Sequence, residues 1–195
     1  MLLKGVRVGF AITGSFCTFA KIIPQIENLV NEGADVFPII SESVNDFDTR
    51  FGLAEEFKNT LQLITGKKPI NTIVDAEPIG PKAFLDILVV APCTGNTIAK
   101  IANAITDGPV TMACKAHLRN MRPVVIAVST NDGLSSNAKN IGALLNMKNI
   151  YMVPFGQDDP IKKCTSLVAD FDQILQTVTN ALHNSQIQPI LVLKS

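Results

Sequence analysis

Short apolar segments alternate along the chain with segments in which apolar residues recur at helical spacing. The apolar segments are continuous rather than interrupted at every second position, which is typical of strands that helices cover on both faces. They predict strands over Arg7–Thr13, Val36–Ile40, Asp86–Pro92, Pro123–Val128 and Ile150–Val153, with a further short strand over Ile70–Val74. The other segments predict helices that end near Glu32 and Arg119, and helices over Leu53–Ile64, Asn96–Ile105, Asn137–Leu145 and Ile161–Leu182.

This order of elements predicts a single Rossmann-like domain of the α/β class. Strands that alternate with helices are joined by right-handed crossovers, which build a doubly wound parallel sheet. No linker, low-complexity segment or internal repeat divides the 195 residues, so one domain is expected over residues 1–195. Its last residues, 185–195, form either a tail that packs on a neighbour or a late edge strand over Ile187–Leu193.

Composition and charge exclude several classes of protein. Hydrophobic residues make up 47% of the chain, which excludes a disordered protein. Seventeen basic residues balance seventeen acidic ones, so no net charge attracts the chain to nucleic acid or to an anionic membrane. Charged residues are 17% of the chain, below the usual quarter or so. This shortage of charge favours a homo-oligomer that buries part of the surface, with the apolar-rich stretch Gly108–Cys114 as a candidate contact.

The chain is expected in the cytoplasm. No apolar run reaches the ~20 residues that a membrane span needs, and charges near Met1 are unlike a signal peptide. The cysteines are scattered and form no C-x-x-C pair, so free thiols are expected rather than a disulfide or a metal site. They are Cys17, Cys93, Cys114 and Cys164.

Candidate ligand-binding residues follow four of the predicted strands. In an open parallel sheet, ligands bind beyond the carboxyl ends of the strands, where loops lead into helix N-termini. Those ends carry small, uncharged polar side chains in the segments Thr13–Cys17, Ser41–Ser43, Cys93–Thr97 and Ser129–Asn131. The first has one glycine and no G-x-G-x-x-G spacing, so it predicts a site for one phosphate rather than for a dinucleotide pyrophosphate.

The end of the third strand carries the most specific pattern. Thr94, Asn96 and Thr97 follow a buried strand, although one such residue is enough to cap a helix. No charged residue lies between Thr94 and Lys100. A neutral, hydrogen-bonding surface of this kind favours a planar heteroaromatic ring or a phosphate ester over a metal ion.

This segment resembles the central motif of the FMN-binding flavoprotein family, which includes phosphopantothenoylcysteine decarboxylase. The family pattern A-P-x-S-A-N-T-x-A-K-I-A reads here Ala91-Pro-Cys-Thr-Gly-Asn-Thr-Ile-Ala-Lys-Ile-Ala102. The pattern D-N-L-x-T is matched by Asp107-Gly-Pro-Val-Thr111. Ser129-Thr-Asn131 falls where the family has P-A-M-N, with the proline and alanine replaced. The resemblance runs from Val6 to about Leu145.

The resemblance implies FMN as the cofactor and a homo-oligomer of three or more subunits that shields the flavin ring. It also implies, for the branch of the family that this chain matches best, oxidation of a small dicarboxylate together with a nicotinamide-binding partner. The residues that the resemblance assigns to FMN are Gly14, Ser15, Phe16, Ser41, Ser43, Cys93, Thr94, Asn96, Thr97, Ser129, Thr130 and Asn131.

The chain departs from the decarboxylases at their catalytic histidine. No histidine occurs before His117, and that residue and His183 are expected at the surface or as helix caps. The decarboxylase activity therefore lacks its acid–base group. A catalytic flavoprotein subunit and a non-catalytic FMN-binding module that holds a partner both stay open.

Candidate catalytic residues are few. A dicarboxylate calls for cations, and Arg50 is the first choice because it follows the second strand and a guanidinium binds a carboxylate bidentately. Lys100, Arg119 and Arg122 are further candidates, although for any one of these cations, Arg50 included, a solvated surface position is slightly favoured. Asp75, Glu77 and Asp132 are the carboxylates available as a base, in no order of preference.

Overall fold

Five parallel strands form the centre of the sheet. A computed structural model of the chain describes residues 1–193. The strands are β1 (Arg7–Ile12), β2 (Asp35–Ile40), β3 (Ile87–Cys93), β4 (Val124–Thr130) and β5 (Ile150–Met152), in the spatial order β2-β1-β3-β4-β5. Every residue of β3 is buried, as expected for a central strand with helices on both faces. The predicted α/β class and Rossmann-like parallel sheet are confirmed.

Helices connect and cover these strands. Their bounds are α1 (Phe19–Asn31), α2 (Glu42–Asp46), α3 (Ala54–Thr65), α4 (Ile73–Ala76), α5 (Ile79–Lys82), α6 (Gly95–Ala102), α7 (Pro109–Arg119), α8 (Ala138–Leu145) and α9 (Ile174–Leu182). Within residues 1–193, none of these helices has the length and apolar character needed to cross a membrane. The helix predicted to reach Ile105 ends at Ala102, because Ala104 adopts a left-handed backbone with φ of 57°.

An antiparallel hairpin extends the sheet beyond β4 and corrects the sequence prediction. The helix predicted over Ile161–Leu182 is wrong in its first half, since β7 (Lys163–Ala169) lies there and pairs with β6 (Phe155–Asp159), a strand that the sequence pattern does not predict. The early part of β4 pairs with β5, and its end, Ser129 and Thr130, pairs with β7. The end of β4 would otherwise leave backbone groups unpaired, so long-range pairing decides the structure of this segment against its local pattern.

Two other segments differ from the predictions or refine them. The short strand predicted over Ile70–Val74 is wrong, because Ile70 makes one bridge to Ile39 and α4 begins at Ile73. The C-terminal segment lies at a sheet edge of its own chain, where Phe155 bridges Leu191. The last two residues of the tail, Lys194 and Ser195, lie outside the described residues.

The apolar stretch Gly108–Cys114 packs largely within its own chain. Val110, Ala113 and Cys114 are buried in the core, and Met112 is half-buried against it. Val110 is therefore a core residue of the monomer rather than an exposed contact for another copy of the chain.

Candidate functional site

A polar cleft opens where the carboxyl ends of β1, β2 and β3 meet, and its volume is about 280 Å³. Most of its lining side chains carry uncharged hydroxyl or amide groups, and few of them are charged. We call it the polar cleft, and its lining residues are Thr13, Gly14, Ser41, Glu42, Ser43, Phe47, Thr94, Asn96, Thr97, Lys100, Asp107, Gly108, Val110 and Thr111.

Thr13 holds the floor of the polar cleft together. Its Oγ1 donates to the carbonyl oxygen of Pro92 at 2.7 Å and accepts from the backbone N–H of Thr94 at 3.0 Å. The side chain is buried, so both bonds lie away from water. The end of β1 is thereby fixed to the turn that leads from β3 into α6, and neither can shift alone.

Glycine at position 14 lets two loops approach closely. A Cβ built on Gly14 would lie 2.8 Å from Oγ of Ser43, a distance that side-chain carbons do not adopt. Oγ of Ser43 is in turn 3.0 Å from Oγ of Ser41. The turn after β1 and the turn after β2 therefore present backbone and hydroxyl groups to the same small space.

The N-terminus of α6 faces the polar cleft. Thr94 and Thr97 share a hydrogen bond between their hydroxyls at 3.2 Å. Asn96 is exposed, and within residues 1–193 its side-chain amide has no hydrogen-bond partner. That amide and the first N–H groups of the helix are free to bind an acceptor such as a phosphate or a ring carbonyl.

Charged groups stand at one side of the polar cleft. Lys100 pairs with Asp107 at 2.8 Å. The carboxylate of Glu42 lies against Gly108, whose Cβ, if present, would be 2.5 Å from Oε1. Position 108, at the start of α7, therefore favours glycine because the carboxylate occupies the space of a side chain.

A second cleft of about 260 Å³ lies on the other side of the Gly14–Ser15 turn. Its outer wall is the β6–β7 hairpin, so we call it the hairpin cleft. Its lining residues are Ser15, Cys17, Thr18, Lys21, Ser129, Thr130, Asn131, Asp158, Lys163, Ser166, Leu167 and Val168. The hydroxyl oxygens of Ser15 and Ser129 are 2.8 Å apart and join the ends of β1 and β4.

A network of hydrogen bonds fixes the loop after β4. Both carboxylate oxygens of Asp132 accept from the side-chain amide of Asn137, at 2.9 and 2.8 Å, and Oδ1 also accepts from the hydroxyl of Thr130. These bonds lower the pKa of Asp132, with the Thr130 bond the largest cause. A Cβ on Gly95 would lie 2.4 Å from Oγ1 of Thr130, so glycine is what allows this network to pack against α6.

The structure gathers most of the residues predicted to bind the cofactor. Gly14, Ser41, Ser43, Thr94, Asn96 and Thr97 line the polar cleft, and Ser15, Ser129, Thr130 and Asn131 line the hairpin cleft. Cys93 is fully buried, and burial raises the pKa of its thiol well above the ordinary value, so its side chain faces neither cleft. Phe16 lies in a neighbouring groove among Phe19, Phe47, Phe51 and Phe57.

The candidate catalytic residues are spread over the molecule. Arg50 lies on an exposed turn with its guanidinium 4.8 Å from the centre of the Phe51 ring. Asp75 is exposed and accepts from the Thr72 hydroxyl at 2.5 Å in α4, and Glu77 is exposed just after it. Neither carboxylate lines a cleft. Asp132 lines neither cleft, and its oxygens accept hydrogen bonds from Thr130 and Asn137.

Two of the predicted cations lie at other places in the fold. Arg119 lines an apolar cavity beside α7 with Ile105 and Met147. Arg122 donates to the backbone carbonyls of Ala83 and Leu85 near the amino ends of β3 and β4, at the opposite end of these strands. Neither of them lines the polar cleft or the hairpin cleft.

His117 is a buried residue, which corrects the expectation of a surface or capping position. It is 1% exposed, and its Nε2 has no hydrogen-bond partner within the described residues. Burial and the nearby charge of Arg122 lower its pKa to about 4, against a weaker opposite effect of a hydrogen bond to Pro123. The ring is therefore neutral near pH 7. His183 is exposed and follows α9 as expected.

The residues of the polar cleft fit FMN. Its phosphate calls for N–H and hydroxyl donors, which the Gly14 turn, Ser41, Ser43 and the start of α6 supply. The free amide of Asn96 offers both a donor and an acceptor to the polar edge of a flavin ring. The close approach at Gly14 leaves space for one phosphate-binding turn and provides no second glycine for a pyrophosphate.

Comparison with known proteins places the chain in a family. The family model described as Flavoprotein matches residues 2–183. The chain therefore belongs to the flavoprotein family.

Within this family, the chain is similar to the B subunit of dipicolinate synthase from Bacillus subtilis (strain 168). The two are 53% identical over 190 residues, which cover 97% of this chain and 95% of that protein. The chain is also 25% identical over 190 residues to the coenzyme A biosynthesis bifunctional protein of Thermococcus kodakarensis, of which it spans 44%.

Solved structures agree with this placement. The crystal structure of the dipicolinate synthase B subunit from Bacillus halodurans superposes with a TM-score of 0.92 at 47% identity over the full length of both chains. A flavin prenyltransferase in complex with FMN and dimethylallyl pyrophosphate superposes with a TM-score of 0.61 at 18% identity, over 76% of this chain and 77% of that one. The latter likeness shows the fold alone.

Proposed function

We propose that this chain is the flavin-binding subunit of a dipicolinate synthase and acts in the cytoplasm with a nicotinamide-binding A subunit. The observation that carries the proposal is the 53% identity to the B subunit of a dipicolinate synthase across nearly all of both chains. The polar cleft supports it independently, because its uncharged donors suit FMN. The four cysteines of the chain are free thiols, which fits a reducing compartment.

The residues proposed to hold FMN are those at the carboxyl ends of the central strands. Gly14, Ser41, Ser43 and the N-terminus of α6 hold the phosphate and the ribityl chain, and Asn96 binds the polar edge of the ring. Bound there, FMN supplies a group that can accept two electrons. The chain's own contribution is to bind and orient the cofactor and to present one face of it to the substrate.

The proposed reaction converts a hydroxy-tetrahydrodipicolinate into pyridine-2,6-dicarboxylate. One carbon–oxygen bond breaks and water leaves, which gives a dihydropyridine. Loss of two electrons and two protons then gives the aromatic ring. The electron acceptor is either the flavin of this chain or the nicotinamide of the A subunit, and the experiment below separates the two.

Reconstitution tests the proposal. The FMN-loaded chain, a nicotinamide-binding A subunit and the hydroxy-tetrahydrodipicolinate are combined, and the ultraviolet absorbance of the pyridine product is followed together with that of the nicotinamide and the flavin. We expect product with both chains and none with the A subunit alone. Reduction of the nicotinamide in step with product, without bleaching of the flavin, assigns the electrons to the partner. Full activity of the A subunit alone contradicts the proposal.

We also propose that the chain forms a homo-oligomer of three or more copies. Exposed apolar side chains support this, since they lie near the clefts and beside α7 on a chain that is poor in charge. They are Phe47, Phe51, Leu53, Ile105, Met121 and Met147. Light scattering is expected to give at least a trimer, and a monomer that keeps its FMN contradicts this proposal.

A further inference from the structure

The hairpin cleft differs from the polar cleft in its charge. Lys21 and Lys163 both line it, and one carboxylate, Asp158, lies beside them. Asp158 pairs with Lys163 at 2.7 Å, whereas Lys21 is exposed and forms no ion pair with any residue of 1–193. The local charge of these three groups is therefore positive, on a chain whose net charge is zero.

Hydroxyl donors surround the two lysines. Ser15, Ser129 and Ser166 line the same cleft, and Ser129 is buried where β7 pairs with β4. Ser166 donates to the backbone carbonyl of Thr130 at 3.3 Å, which holds it at the wall. The bond between Ser15 and Ser129 uses one of their two hydroxyl protons, so the other stays available to a ligand. One hydroxyl donor and two flexible ammonium groups form a donor set that can bind a carboxylate.

The cations proposed from sequence do not serve this purpose. Arg122 is engaged with backbone carbonyls at the amino ends of β3 and β4, and Arg50 lies on the Phe51 ring outside both clefts. The sequence pattern predicts a helix where the structure has β7, the strand that carries Lys163. It therefore does not predict that Lys163 lines a cleft. The cleft volume of about 260 Å³ is slightly below the ~300–1,000 Å³ of pockets for drug-sized ligands, which suits a small ligand.

We infer that the hairpin cleft is the subsite for a carboxylate of the small dicarboxylate substrate, with Lys21 and Lys163 as its cations. This inference rests on the proposed function, in which FMN occupies the polar cleft. Gly14 lines the polar cleft and Ser15 lines the hairpin cleft, so the two clefts adjoin at this turn. Lys21 and Lys163 are binding residues in this account, and no proton transfer is assigned to them.

Binding of pyridine-2,6-dicarboxylate to the FMN-loaded chain, measured by calorimetry, tests the inference. Lys21→Gln and Lys163→Gln are each expected to weaken binding about tenfold, since each removes a charge-assisted hydrogen bond. The matched control is Lys162→Gln, which removes the neighbouring charge of the same hairpin from an exposed position outside the cleft. FMN affinity is measured for every variant, and all are expected to retain it.

Each other outcome overturns the inference in a distinct way. A loss of FMN affinity in Lys21→Gln or Lys163→Gln, with dicarboxylate binding unchanged, shows that the lysines serve the cofactor phosphate. Equal weakening in Lys162→Gln shows a general effect of charge. If the unaltered chain binds no dicarboxylate, the subsite is not on this chain, and the reconstitution assay then shows separately whether the proposed function also fails.

Discussion

The hydroxyl oxygens of Ser15 and Ser129 lie 2.8 Å apart, although 114 positions separate the two residues in sequence. Their hydrogen bond joins the turn after β1 to the end of β4 and passes the end of β3, which lies between those strands. Both residues line the hairpin cleft, and Gly14, which precedes Ser15, lines the polar cleft. The bond therefore anchors the turn that contributes to both clefts.

Ser129→Ala is expected to loosen that contact. Loss of the hydroxyl leaves Ser15 without its partner across the sheet, and the free energy of unfolding should fall by about 1 kcal/mol. FMN affinity should fall as well, because the Gly14–Ser15 turn loses its anchor. Denaturant unfolding and fluorescence titration of FMN measure the two effects. Ser136→Ala, at an exposed position, is the control, and equal effects of both changes would contradict the role of Ser129.

Gly95→Ala tests the packing of the Asp132 network against α6. The added Cβ would lie 2.4 to 2.7 Å from Thr130, Asn137 and Asp132, so the loop after β4 must move. We expect a loss of about 1–3 kcal/mol in the free energy of unfolding, the usual cost of overpacking.

Gly142→Ala is the matched control for that change. Nothing lies within 4 Å of the Cβ that alanine would add in α8. Because alanine is more favourable than glycine in a helix interior, the free energy of unfolding of this variant should rise by about 0.5–1 kcal/mol. If Gly95→Ala leaves the free energy of unfolding unchanged, the Asp132 network can move to make room for the added Cβ, which contradicts the prediction.

Asn96→Asp tests the amide that faces the polar cleft. The change keeps the shape but removes the donor and places a negative charge beside the proposed phosphate site. FMN binding should weaken by about 1–3 kcal/mol, the usual cost of leaving a polar group of the ring without its hydrogen-bond partner. Folding should be unaffected or slightly favoured, because an acidic residue stabilises the first turn of a helix. Asn146→Asp, exposed at the end of α8, should leave FMN affinity unchanged. If Asn96→Asp also leaves FMN affinity unchanged, Asn96 serves only the start of α6 and does not bind FMN.

His117 predicts a dependence of stability on pH. Its pKa is lowered from 6.5 to about 4 in the folded chain, chiefly by burial. Between about pH 6.5 and 4, the histidine is protonated in the unfolded chain and neutral in the folded chain. Because the unfolded state binds this extra proton, the free energy of unfolding should fall by up to about 3 kcal/mol as the pH falls from 6.5 to 4. Unfolding curves of His117→Gln should show a smaller slope over this window. His183→Gln, at an exposed site, should keep the original slope, and an unaltered slope in His117→Gln would be inconsistent with a buried neutral ring.

The sequence pattern predicts the elements that carry the polar cleft, because buried parallel strands are continuous apolar runs and their ends are marked by small polar residues. Thr94, Asn96 and Thr97 lie where that pattern places them. The pattern does not predict the β6–β7 hairpin, in which β7 pairs with the end of β4, a partner far away in sequence. The turn signal Asp158-Asp-Pro160 is the one local mark of the hairpin in this segment.

The charged residues of the site are predicted less well. Sequence spacing does not show where a long side chain points, so it cannot assign the Arg122 guanidinium to the carbonyl groups at the amino end of β3. The engagement of Asp132 depends on the contact between two loops, which Gly95 makes possible. Lys21 and Lys163 come together only through the hairpin, and no local motif marks either of them.

The cofactor content of the purified chain tests the central claim most directly. Protein prepared without added flavin should be yellow and should release FMN on heating, with about one FMN per chain and no FAD, because the polar cleft offers one phosphate-binding turn and no pyrophosphate site. The released flavin is identified by chromatography, and the Asn96→Asp variant should carry less of it. A colourless chain that also fails to bind added FMN would contradict the account.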